Sequence, residues 1–159
     1  MDALLALLQR DARVSHEDLA AQLELTTEEV SRRVQAFEAQ GVILGYAALI
    51  DGDKAGDTSV TAVIEVKVTP EREGGFDRLA DRIARFAQVQ SCYLMSGGYD
   101  LMVVVEGNSL REVASFISEK LSTLAGVIGT ATHFRLKAYK ENGVLRSPPE
   151  STARLAVSP

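Results

Sequence analysis

The chain has 159 residues, 46% hydrophobic and 25% charged, with a formal net charge of −5. That composition fits a globular protein of one large domain or two small ones, and no apolar run is long enough to cross a bilayer. A single cysteine, Cys92, excludes an internal disulfide and a clustered zinc site, and the N-terminus carries Asp2 in place of a basic leader, so the cytoplasm is the expected compartment.

Leu4, Leu5, Leu7 and Leu8 predict a short first helix that closes near Asp11. Ser15 with Asp18 three residues on predicts a capped second helix whose apolar face is Leu19, Ala20 and Leu23. Thr26 with Glu29 predicts a capping box at the start of a longer third helix. Val30, Val34 and Phe37 make its apolar stripe, and Gly41 supplies the left-handed residue that ends it. Two helices joined by so short a turn, the second longer and polar outside, follow the helix-turn-helix plan. The turn more often carries a glycine; Glu24 stands in that region here.

The outer face of the third helix decides what this plan is for. At about 100° per residue, Arg32 points away from Val30, with Glu28, Ser31 and Gln35 around it and Arg33 nearer the apolar edge. A guanidinium, an amide and a hydroxyl at that spacing suit base edges and phosphates. The same helix also reads as a solvated face, since Glu28–Arg32 and Glu29–Arg33 are i,i+4 pairs in the favourable order. Ser15 and Thr27, near helix N-termini, are placed to meet phosphates. Charge argues the other way. Residues 1–56 hold five Lys or Arg against ten Asp or Glu, whereas residues 57–159 hold twelve of each. Any DNA contact must then rest on a few focused cations rather than a broad basic field.

Residues 42–50 read as an extended apolar strand linking two domains, ending in the turn signal at Asp51-Gly52-Asp53. Residues 60–68 alternate as a half-buried strand. Phe76, Leu79, Ala80, Ile83, Ala84 and Ala87 then recur at helical spacing. Strands follow at 89–95 and 101–106 around a Ser96-Gly97-Gly98 turn. Ser109 and Glu112 make a second capping box for a helix carrying Val113, Phe116, Ile117 and Leu121 inward, and residues 130–139 make a fourth strand. The order β-α-β-β-α-β is that of a ferredoxin-like sheet with both helices on one face, so the fold class is α+β. The other face carries apolar residues too, which predicts a dimer with sheets face to face. The expected limits are a helix-turn-helix domain at 1–50, a linker at 51–59, a ferredoxin-like domain at 60–140 and a tail at 141–159. Pro148-Pro149 break any helix in that tail, and its last apolar residues, Leu155 to Val157, read as a short edge strand or as disorder.

The turn Ser96-Gly97-Gly98-Tyr99-Asp100 is a second informative spot. Two glycines let backbone amides approach a carboxylate, and Asp100 is placed to accept from an ammonium group, which together describe a free amino acid. The turn reads equally as a plain β-hairpin.

In order and spacing, these residues resemble the Lrp/AsnC family, the leucine-responsive and asparagine-synthesis regulators of bacteria and archaea. The resemblance rests on Val30-Ser31-Arg32-Arg33-Val34, on Glu38-Ala39-Gln40-Gly41-Val42-Ile43 with Gly45-Tyr46, and on Ser96-Gly97-Gly98-Tyr99-Asp100 before a valine strand. It covers roughly residues 1–140. It implies a DNA-binding head and an effector-binding ferredoxin-like domain. It further implies dimers that assemble to octamers, with amino acids held between dimers near the glycine turn. Two recognition helices of a dimer would then enter major grooves about 34 Å apart.

Two other classes stand beside this one. Some siroheme decarboxylases resemble the same family, but His16 and His133 are the chain's two histidines, and no Ser-His-Asp set, HExxH, P-loop or dinucleotide fingerprint is present. No cofactor is expected. The acidic first domain also suits an amino-acid sensor that does not bind DNA.

Overall fold

In a computed structural model, residues 1–69 and 76–146 are described. The chain divides into two compact units, Met1–Leu49 and a second beginning at Ile50.

The first unit holds α1 (Ala3–Arg10), α2 (His16–Leu23) and α3 (Thr27–Ala39). Each begins at a side chain that accepts an otherwise orphaned backbone N–H: Asp2 from Leu4, Ser15 from Asp18 and Thr26 from Glu29. Leu4, Leu19, Ala20, Val30 and Val34 form the buried centre, with Leu8, Leu23, Phe37 and Ile43 packed around it. At the end of α3 the Val42 N–H reaches Phe37 O at 2.8 Å and the Gly41 N–H reaches Glu38 O at 3.0 Å. With Gly41 at φ +67°, this is a Schellman closure.

Glu24 takes up the glycine conformation the turn requires, with φ 56° and ψ 40°. Its neighbour's N–H, on Leu25, then reaches back to Ala20 O at 3.0 Å. A left-handed residue with a Cβ is strained by about 1–2 kcal/mol. Glu24→Gly is therefore expected to stabilise the head by about 0.5–1 kcal/mol after the extra chain entropy of glycine is subtracted. Glu24→Val should destabilise it. Thermal unfolding of the two variants checks both signs.

The strand expected at 42–50 does not form. Val42 and Ile43 are spent on closing α3, and residues 44–50 carry no regular structure. A strand needs a neighbour to take its N–H and C=O groups, and this stretch has none within the described residues. A single helical turn, α4 (Gly52–Ala55), capped by Asp51, follows where a plain turn was expected.

The second unit is built on a four-stranded antiparallel sheet in the order β2-β3-β1-β4. The strands are β1 (Val60–Val68), β2 (Val89–Leu94), β3 (Leu101–Gly107) and β4 (Val127–Phe134). α5 (Asp77–Ala84) and α6 (Leu110–Phe116) cover one face, and α6 runs on through a wider turn over Ile117–Leu121. The core lies between sheet and helices: Ala62, Ile64 and Val66 from β1, Leu101, Val103 and Val105 from β3, and Ile83, Val113, Phe116 and Leu121 from above. Phe86 and Phe116 meet edge to face at 5.4 Å.

β4 starts three residues earlier than expected and ends five earlier. Gly126, at φ +96°, turns the chain directly into Val127, which pairs with Val68. At the other end Phe134 pairs with Ala62 and the Arg135 N–H reaches Thr61 O at 2.9 Å, after which β1 offers no further partner. The helix expected to reach Ala87 stops at Ala84, and turns through Phe86 lead into β2.

After β4 a small hairpin forms, β5 (Lys140–Glu141) and β6 (Val144–Leu145). Its turn is Asn142-Gly143, both at positive φ, the strongest short-range hairpin signal in the chain. Glu141 holds it by pairing with Arg135 at 2.7 Å and with Arg146, which also lies 3.6 Å from Asp51. The edge strand or disorder expected of Leu155 to Val157 falls outside the described residues.

Candidate nucleic-acid interface and effector turn

The polar face of α3 is organised by Glu29. Its backbone N–H donates to Thr26 Oγ1 at 3.2 Å, but its carboxylate does not turn back to complete a capping box. It instead accepts from both arginines, from Arg32 and from Arg33 Nε at 2.9 Å. The expected Glu28–Arg32 pair is thus replaced by an i,i+3 pair to Glu29, and Glu28 stands exposed. The two guanidiniums hold the Glu29 carboxyl below its ordinary range, and Glu29 in turn raises Arg32. A depressed carboxyl keeps its pairs at neutral pH and loses them only as pH falls through the lowered value.

Arg32 remains 75% exposed in its side chain and Arg33 42%. An ion pair that open contributes little stability, so a phosphate or base edge replaces Glu29 at small cost. The carboxylate holds both guanidiniums, and any anion that approaches them competes with it.

Ser31 and Gln35 lie elsewhere on the helix. They line a head cavity of about 340 Å³ together with Val14, His16, Glu38 and Tyr46. The Tyr46 hydroxyl donates to Glu38 Oε1 at 2.9 Å, and partial burial and that carboxylate push its pKa up. Thr27 is half-buried at the first helical position of α3. Ser15 caps α2, and its hydroxyl also donates to Asp18 Oδ2 at 2.7 Å. A phosphate that reaches Ser15 would meet the Asp18 carboxylate as well.

Helix geometry places Arg32 outward and Arg33 nearer the apolar edge and pairs each with a different glutamate, whereas in the structure Glu29 grips both. The signal was present, since Glu29 stands three and four positions before them and both spacings share a helix face.

The second candidate lies at one end of the sheet. Ser96, Gly97 and Gly98 are exposed, Gly97 has φ +141°, and an added Cβ at either glycine meets nothing within 4 Å. Tyr99 and Asp100 are half-buried. Asp100 is tied twice to β1 and once to Met95 beyond the end of β2. Its Oδ2 accepts from the Val68 N–H at 2.9 Å, its own N–H donates to Val66 O at 3.0 Å, and its carbonyl accepts from the Met95 N–H at 2.8 Å. The carboxylate therefore extends the β1–β3 ladder one step past its last pair, Val66–Leu101, by taking the next N–H of β1. The other carboxylate oxygen, Oδ1, makes no hydrogen bond among the described residues.

These two roles separate by substitution. Asp100→Asn keeps an acceptor for the Val68 N–H while it removes the charge, so the fold should survive and the response to an amino acid should not. Asp100→Ala leaves a half-buried N–H without a partner and should cost about 1–3 kcal/mol. Thermal unfolding with and without amino acids reads both effects.

The remaining candidates for chemistry are ordinary packing. Cys92 pairs opposite Val103 and packs against the core, where burial raises its thiol and leaves little reactive thiolate. His133 Nε2 lies 3.3 Å from Glu65 Oε1 on the uncovered sheet face. Among the described residues no three His, Cys, Asp or Glu side chains gather to hold a metal, and no helix is long and apolar enough to cross a membrane.

Comparison with known proteins identifies both domains. Residues 2–38 match the AsnC-type helix-turn-helix domain and residues 61–145 the Lrp/AsnC ligand binding domain. The HTH-type transcriptional regulator YugG of Bacillus subtilis is 46% identical over 157 residues, covering 98% of this chain and 95% of that one. The leucine response regulatory protein LrpA of Mycobacterium tuberculosis superposes with a TM-score of 0.73 at 25% identity, over 89% of this chain and 97% of that one. The Neisseria meningitidis transcriptional regulator NMB0573, in its L-Met complex, shares the fold with a TM-score of 0.67 at 22% identity, over 94% and 96%. The relatives are named as regulators, which sets the decarboxylase reading aside. A capped three-helix head, a ferredoxin-like sheet and matches to both domain families make one consistent assignment: the chain belongs to the Lrp/AsnC family of DNA-binding transcriptional regulators.

Proposed function

We propose that the protein reads a specific duplex sequence through α3 and changes its assembly or its DNA affinity when an amino acid binds at the Ser96–Asp100 turn. The observation that carries the DNA half is the pair of exposed guanidiniums on one capped helix. Arg32 reads base edges, Arg33 and Thr27 fix the helix against the backbone, Glu28 flanks them, and Ser31 and Gln35 meet the duplex from the cavity side of α3. Ser15 meets a neighbouring phosphate only by giving up its hydrogen bond to Asp18. The effector half is supported by the open glycines and by the free oxygen of Asp100. The L-Met complex of NMB0573, a protein of the same fold, adds support for an amino-acid ligand.

The helix-free face of the sheet is the proposed dimer surface. It presents Val63, Tyr93, Met102, Val104 and Ala131, with the His133–Glu65 pair at its β4 side. Dimers then assemble further, towards an octamer, and effector binding alters how many DNA sites one particle engages. Avidity carries the response, with no new base contact.

Fluorescence anisotropy with DNA from upstream of the protein's own gene tests this reading, at 50 and 200 mM salt and with a panel of amino acids. Specific binding with a shallow salt slope is expected, because few cations release few counterions. A change in affinity or in particle mass is expected with at least one amino acid. Binding that shows no preference over unrelated DNA, and no response to any amino acid, removes the proposal.

A further inference from the structure

The regulatory unit holds a second cavity, on the helix side of its sheet and apart from the glycine turn. It measures about 250 Å³ and is lined by Val68, Phe76, Leu79 and Ala125, with Arg78 and Arg82 at its α5 side. The two arginines stand i,i+4, an arrangement of like charges that weakens a helix. Arg78 also sits in the first turn, where the helix dipole disfavours a cation. Neither forms an ion pair among the described residues. The carboxylates of α5, Asp77 and Asp81, do not line the cavity. Two unfavourably placed guanidiniums over an apolar floor make sense as half of an interaction.

We infer that this cavity is a ligand site for a small carboxylate with a short hydrocarbon tail. Arg78 and Arg82 hold the carboxylate, and Val68, Phe76 and Leu79 take the tail. At the roughly 30 Å³ that a water molecule occupies in the liquid, the space suits about eight non-hydrogen atoms. A bare phosphate would leave the apolar floor uncovered. The site also has a physical route to the glycine turn. Val68 lines the cavity, and its N–H is held by Asp100. The inference stands without the amino-acid reading of that turn, because it rests on other side chains.

Calorimetric titration and thermal unfolding of the full chain with sodium isovalerate test it, with isovaleramide and inorganic phosphate as comparison probes. Isovalerate is expected to bind saturably and to raise the unfolding midpoint of the second unit by several degrees at saturation. Its uncharged amide should not. Arg78→Gln with Arg82→Gln should weaken isovalerate at least tenfold, and so should Ala125→Leu, which narrows the cavity without touching a charge. Arg111→Gln on exposed α6 should bind as wild type does. The assignment is overturned by isovalerate that fails to bind, by equal affinity in the double variant and Arg111→Gln, or by phosphate that binds where isovalerate does not.

Discussion

Arg32→Ala is expected to weaken binding to a specific DNA site by about a hundredfold or more. One bidentate contact to a base is worth about 1–3 kcal/mol, and a dimer presents it twice. The loss should concentrate on the preferred sequence. If Arg32 meets only phosphate, the variant weakens all sequences alike and lowers the salt slope by about one for each arginine removed. Anisotropy on specific and scrambled duplexes separates the two cases, and an alanine variant that binds as wild type does takes α3 out of the interface. Glu29→Gln is the informative companion. It removes a carboxylate from the DNA-facing side and frees both guanidiniums, so DNA affinity should rise. Stability should barely change, because the pairs it breaks are exposed. The acidic head makes this second effect larger than it would be in a basic one, since each remaining carboxylate opposes the phosphates.

Val104→Lys is expected to yield monomers and to lower DNA affinity by about 10²–10⁴-fold through lost avidity. Val104 lies on central β3, opposite Val63 of β1 and Ser91 of β2, and faces away from the helices. An ammonium there sits in solvent in a lone subunit but is buried without a partner between two apposed sheets. Sedimentation at micromolar concentration reads the assembly directly, and Val63→Lys gives a second view of the same surface. Dimers that persist in both variants place the interface elsewhere. Binding of DNA fragments that carry one half-site should change little, because α3 is untouched.

The architecture was legible because most of it is written in short-range interactions. Ser15, Thr26 and Ser109 each accept an N–H three residues away, so a reader of the sequence sees both partners at once. The stripes Val30–Val34 and Leu101–Val103–Val105 repeat at helical and strand periods and end up buried. Gly41 ends α3 because glycine reaches φ +67° without the strain a Cβ brings. The Asn142-Gly143 hairpin belongs in this group as well, although it was read as the start of a tail.

What the tertiary structure decided was every feature whose partner lies far along the chain or depends on a choice of rotamer. Residues 44–50 have a strand's composition but no strand beside them, and a strand exists only as half of a ladder. The limits of β4 are set by where β1 begins and ends, not by its own residues. Asp100 reads as a free carboxylate, yet one oxygen is committed to Val68, thirty-two positions away. Glu29 had several local partners open to it, the Thr26 backbone among them, and took both arginines instead. Sequence by itself determined the helices, the caps, the sheet's buried face and the family. Folding decided which charges are already engaged and which are left for a partner, because electrostatic pairing is settled in space over a few ångströms and not along the chain.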